Sequence, residues 1–213
     1  AFGVISGIIA SAPSIEDIDA TPTGYLTTVL DNQGNQTATL VASGSNRKYV
    51  TINEIPINLQ HVFVAIEDER FYDHNGIDMQ GILRAGLKGV ASGFHFSEGA
   101  STITQQLLKN TVFTQWTSEQ SMADKFERKF QEQYLALQLE KVVDKDWILE
   151  NYLNAINLGQ NTLGVGVASE RYFGKDVSDL TLSECAVLAA ITQSPSYYNP
   201  ITHPDHNKER RQN

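Results

Sequence analysis

INLQHVFVAIEDERFYDHNG, residues 57–76, joins two patterns from which the rest of the chain can be read. Its first half is helical. Leu59, Val62, Phe63 and Ile66 recur at i, i+3, i+4 and i+7, which puts one buried stripe on a helix ending at Glu67. Pro56 stands where a helix start tolerates it. The second half crowds Glu67, Asp68, Glu69, Asp73 and His74 together, with Asp78 just beyond. Carboxylates packed against an apolar segment repel one another and are partly desolvated, which can set one apart as a general base. The same cluster also reads as a helix end followed by a solvated acidic turn, and this stretch alone leaves both open. His74, ahead of Asn75 and Gly76, reads as a turn residue bonding the backbone, with Gly76 supplying a positive φ.

Outward from this stretch the chain is mostly helical. Helices are expected over 77–91, 101–110, 122–143, 145–157 and 182–193, with a glycine-rich turn ahead of a helix ending at Gly174. Thr102 with Gln105, and Thr181 with Glu184, have the spacing of capping boxes. Before residue 54, GYLTTVLDNQGNQTATLVAS reads as a β-hairpin turning at DNQGN. Residues 111–121 have weak periodicity and read as a loop or lid.

The chain has 213 residues, 41% hydrophobic, with a formal net charge of −9. That is enough for one large domain, or one with a small added lobe. No basic block is present, which argues against a nucleic-acid partner. The single cysteine, Cys185, lies in an apolar run and reads as a small buried hydrophobe. No CxxC or HExxH spacing marks a metal site. The opening AFGVISGIIASAPS is too short to span a bilayer. It reads either as the end of a membrane helix or as an apolar segment packed on the domain.

Two further stretches can carry chemistry. STITQQLLKN, 101–110, concentrates hydroxyls, amides and an ammonium on a short helix, a set suited to a sugar-phosphate ligand or to a capped, solvated helix. On the helix from residue 122, Phe126, Phe130, Tyr134 and Leu137 share one face. Arg128, Glu132, Leu135 and Leu139 share the other, so Glu132 is not on a freely solvated surface. Arg128 and Lys129 are spaced to pair with it. ILENYLN, 148–154, reads as core, with Glu150 and Asn154 spaced to bond each other.

These stretches match ordered motifs. EDERFYDHNG (67–76), GASTITQQLLKN (99–110), RKFQEQYLALQLE (128–140), ILENYLN (148–154) and LSECAVLAAITQSPSYYNP (182–200) follow one another as in the peptidoglycan glycosyltransferases, glycosyltransferase family 51. The chain resembles that family over about 130 residues. The resemblance implies a mainly α, lysozyme-like fold with a larger head lobe, a smaller membrane-facing lobe and a short β-hairpin near the N-terminus. It implies polymerisation of lipid II into glycan strands by inverting transfer, with release of undecaprenyl pyrophosphate. Glu67 matches the general base and Glu132 the second essential carboxylate. Arg84, Ser101, Thr102, Gln105, Gln106, Lys109, Asn110, Arg128 and Lys129 match substrate contacts. Asp68, Phe71, His74, Gly76, Glu150 and Asn154 look like residues that hold the fold.

No cofactor is obligatory on this reading, though Mg²⁺ or Mn²⁺ can sit at the pyrophosphate. The partners implied are lipid II, the growing glycan strand and the membrane surface. The expected division is residues 1–12 as the end of a membrane anchor or a juxtamembrane segment, 13–53 as a stem with the hairpin, and 54–200 as the glycosyltransferase domain. Residues 201–213 would open a connector to a transpeptidase domain. The place would be the extracytoplasmic face of a bacterial cell membrane, with a single-pass anchor in the full-length protein. Between Asn110 and Arg128 the chain departs from the family by a longer interval with no Arg or Lys before Lys125. Phe94, Phe96, Phe113 and Trp116, in polar loops, suit a membrane interface. Two rival readings are a lysozyme-like hydrolase, which would need an acid for its leaving group instead of cations, and a non-catalytic glycan- or membrane-binding module.

Overall fold

The helix expected at the head of the decisive stretch forms as α2, Ile57–Glu67. Its buried face is rotated from the expected one: Leu59 and Phe63 are buried, but their companions are Gln60 and Val64, while Ile66 is exposed. Gln60 can be inside because its amide donates to the carbonyls of Ile52 and Ile55, which removes the cost of burying it.

The computed structural model describes residues 2–41, 46–91, 99–119 and 121–212. The order is α1 (Phe2–Ala10), β1 (Thr27–Leu30), β2 (Gln36–Leu40), α2, α3 (Met79–Ala91), α4 (Ile103–Thr111), a 3-10 turn (Thr114–Ser118), α5 (Met122–Leu139), α6 (Lys145–Ala155), α7 (Val165–Phe173), a second 3-10 turn (Val177–Asp179), α8 (Leu182–Ile191) and α9 (Pro204–Gln212). The mainly α fold with one hairpin is as expected. β1 and β2 pair antiparallel with a bulge at Val29/Leu30. Asp31 closes the turn by accepting from the backbone of Gln33 and Asn35, and Gly34 takes φ 86.

The chain falls into two compact units, one of residues 1–20 and 67–148, the other of 21–66 and 149–213. In the second, Asn154 binds both backbone groups of Val50, and Glu150 takes the Tyr49 hydroxyl and the Ile52 N–H. The expected bond between Glu150 and Asn154 is instead one from the Asn154 amide to the Glu150 backbone carbonyl. Their side chains reach away to the 49–52 segment, whose backbone groups would otherwise lack partners. Cys185 is buried in α8, as its apolar run implies.

One feature escaped the sequence reading. Residues 204–212, read as connector, form α9, pinned by buried Asn207 to the carbonyls of Val187 and Tyr198. Pro204 at its start, Asp205 in its first turn and Arg210 and Arg211 in its last were the available signals. In the first unit α1 lies along α5, where Gln131 and Glu127 bond Ser11.

Candidate functional site

The acidic stretch is divided by what each carboxylate touches. Asp68, buried, accepts from the Ile103 N–H at 2.9 Å and pairs with His74 Nε2. His74 Nδ1 accepts from the Gly76 N–H. Gly76 has φ 93, and a Cβ there would lie 2.5 Å from the Ala136 carbonyl oxygen. Phe71 is fully buried beneath Lys145, whose ammonium donates to the His74 carbonyl and to Glu140. These contacts carry the turn that follows α2 and leave Glu67 at its edge, half-buried.

The same turn fastens α4. Thr102 caps the helix and donates to the Gly76 carbonyl at 2.7 Å, and Gln105 completes the capping box. Thr102 and Gln105, expected at a ligand, therefore face inward and are nearly fully buried. The next residue faces the other way: Gln106 Nε2 donates to Glu67 Oε2 at 3.0 Å. One turn on, Lys109 is held 4.6 Å over the ring of Trp116. Burial pulls the Lys109 ammonium below its ordinary range, opposed by the charge of Glu132. Asn110 is half-buried at the end of the helix.

α5 supplies the second carboxylate. Glu132 is completely buried, with Leu135 and Leu139 beside it. It is bonded by Arg128 through one oxygen and by Lys129 through the other, at 3.1 Å. Lys129 also donates to Ser101 at 2.7 Å. The aromatic face bearing Phe126 and Phe130, with ring centroids 4.6 Å apart, is the outer one, and Phe126 is exposed. Burial draws the Arg128 guanidinium down, but bonds to Glu119 and Glu132 together hold it above its ordinary value. Arg84 is exposed on α3 and pairs with Glu69 at 3.0 Å.

The unit thus brings Glu67 and Gln106 together, and links Ser101, Lys129, Glu132 and Arg128 in one chain of bonds. Lys109 lies within the electrostatic reach of both groups. A transglycosylase family model matches residues 33–213. The chain belongs to the transglycosylase family. It is 44% identical to penicillin-binding protein 1A of Clostridium perfringens (strain 13 / Type A) over 209 residues, 96% of this chain and 29% of that protein. It is 47% identical to penicillin-binding protein 1F of Bacillus subtilis (strain 168) over 184 residues, 86% of this chain and 24% of that one. The chain therefore spans less than a third of the length of these relatives. As a transglycosylase it is a glycosyltransferase.

Sequence reasoning missed Glu119 in this transglycosylase. It accepts from Arg128 Nε at 2.7 Å and lies in the aperiodic stretch 111–121, read as a loop or lid. Nothing in the local pattern marks it, because its partner is nine residues away across a helix start. Of the aromatics expected at a membrane, Phe94 and Phe96 lie outside the described residues. Phe113, half-buried, and Trp116, exposed, line an open cleft of about 470 Å³ with Arg128.

Proposed function

We propose that this domain polymerises lipid II, with Glu67 as general base. Glu67 would take the proton from the acceptor sugar's 4-hydroxyl as that oxygen attacks the donor anomeric carbon from the face opposite the leaving group, inverting it. The leaving group is a lipid diphosphate, which needs charge stabilisation more than protonation. Lys109, Arg128 and Lys129 would supply it, with Glu132 holding the two α5 cations in place. Ser101, by receiving Lys129, would set its direction.

The observation that carries this reading is the geometry of α4. One face of a single short helix holds Glu67 through Gln106 and presents Lys109 one turn later. Base and cation are thereby fixed to the same rigid element. A hydrolase of neutral glycan has no use for three cations at its leaving group, so the arrangement favours transfer from a diphosphate. Mg²⁺ or Mn²⁺ at the diphosphate would add to this charge stabilisation. Among the described residues no group of three or more His, Cys, Asp or Glu is placed to hold a metal, and Glu132 is taken by Arg128 and Lys129.

The proposal extends to place and partners. α3 exposes Met79, Leu83 and Leu87 at i, i+4 and i+8, an apolar stripe suited to a bilayer surface where the lipid substrate resides. Among the described residues no helix is long and apolar enough to cross a membrane. An extracytoplasmic position, a single-pass anchor, the growing strand as acceptor and an accompanying transpeptidase domain belong to the same reading, and the penicillin-binding relatives support it.

The test is polymer formation from lipid II. Glu67→Gln is expected to lose activity by about 10²–10⁴-fold with an unchanged circular dichroism spectrum. Near-normal polymer from this variant overturns the assignment, and release of fragments from purified cell wall would favour the hydrolase.

A further inference from the structure

Arg128 is gripped by two carboxylates of different standing. Glu132 lies one turn along α5 and is fully buried, bonded by Arg128 and Lys129 together. Glu119 comes from outside the helix, directly after the 3-10 turn Thr114–Ser118. It receives one bond at 2.7 Å. Its other oxygen, Oε2, is buried with no hydrogen-bond partner among the described residues. A half-buried carboxylate with one oxygen bonded and the other buried without a partner carries a desolvation cost at the second.

The same short segment covers a second cation. Trp116 lies over the Lys109 ammonium, and Trp116, Glu119 and Arg128 line one cavity. A guanidinium recognises phosphate through a fork of parallel N–H donors. In Arg128 that capacity is divided, with Nε given to Glu119 and one terminal nitrogen to Glu132. A phosphate oxygen and the Glu119 carboxylate compete for the same donor.

We propose that Glu119 is an internal stand-in for a phosphate group, occupying Arg128 until a diphosphate displaces it and lifts Trp116 from Lys109. This rests on the reading of Lys109 and Arg128 as diphosphate-binding cations. The exchange replaces one anion by another, so the half-buried guanidinium is never stripped of its counter-charge, which would be strongly unfavourable. Glu132 stays because two cations and a helix hold it. Glu119 leaves because one bond and a short turn hold it, and departure returns its unsatisfied oxygen to water.

The experiment titrates inorganic pyrophosphate into the protein carrying Trp147→Phe, which leaves Trp116 as the sole tryptophan of the 213 residues. Heat and Trp116 fluorescence are followed together. Fluorescence should change as heat is exchanged. Glu119→Gln should bind pyrophosphate on the order of tenfold tighter, Glu119→Ala should shift in the same direction, and Arg128→Gln should lose binding in either background. Equal or weaker binding by both Glu119 variants overturns the stand-in while the cation reading survives. Heat without any change at Trp116 overturns its displacement. Wild-type affinity in Arg128→Gln, or no binding by any form, brings down the cation reading and the inference with it.

Discussion

α4 and α8 begin with the same device and use it for different ends. Each has a threonine N-cap whose side chain accepts from the backbone of the third helical residue, and each third residue bonds back to the cap. At α8 the box is exposed, its third residue is Glu184, and Lys175 pairs with that carboxylate at 2.8 Å. At α4 the box is buried and its third residue is Gln105. Thr102 also donates to Gly76, and Asp68 takes the N–H of Ile103. A carboxylate in Gln105's place would have to be desolvated with its charge, whereas the neutral amide leaves only its Nε2 buried without a hydrogen-bond partner among the described residues. One box closes a helix; the other closes a helix and fixes where that helix stands against the acidic turn. The lesson is that a local motif sets the start of an element, and its surroundings decide whether anything else depends on it.

The largest effect should come from the surroundings. Gly76→Ala puts a Cβ against the backbone of Ala136 at a positive φ. It is expected to cost at least about 3 kcal/mol in urea unfolding, and a value near zero would show that the turn does not constrain α4. Next, Thr102→Ala should cost about 2 kcal/mol, since both the cap and the bond to Gly76 go, and should depress glycosyl transfer by shifting Gln106 and Lys109. Thr181→Ala should cost about 1 kcal/mol and leave transfer unchanged. Equal losses of activity in the two variants would erase the distinction.

The smallest effect concerns acid. The Lys175 bond, then those from Thr181, pull the Glu184 carboxyl to about 2 from an ordinary 4.5. A depressed carboxylate stabilises the fold above its unfolded value and loses that contribution as pH falls from about 4.5 toward about 2. Glu184→Gln should flatten this part of the melting-temperature profile, whereas the uncharged Gln105 box contributes no such slope.

Both boxes were legible because their bonds are three residues apart, and so was the burial of Glu132, from the leucines sharing its stripe. The face of α2 was misjudged because a buried glutamine looks polar in sequence; only the carbonyls of Ile52 and Ile55 make Gln60 an interior residue. The inward turn of Thr102 and Gln105 could not be separated from a ligand-facing one, since a hydroxyl serves a cap and a sugar equally well. Glu119 was invisible for a different reason. Its pairing with Arg128 bridges an aperiodic stretch, where sequence spacing says nothing about direction.

Asn154 has a consequence for measurement. Its carboxamide offers Val50 one donor and one acceptor at 2.8 and 2.9 Å, the pair that a neighbouring β-strand's peptide group would present. Val50 is thus shielded like a residue inside a sheet although it belongs to none. Its amide proton should therefore exchange with solvent only when the end of α6 lets go, making that single proton a clock for the opening of the helix 104 residues away.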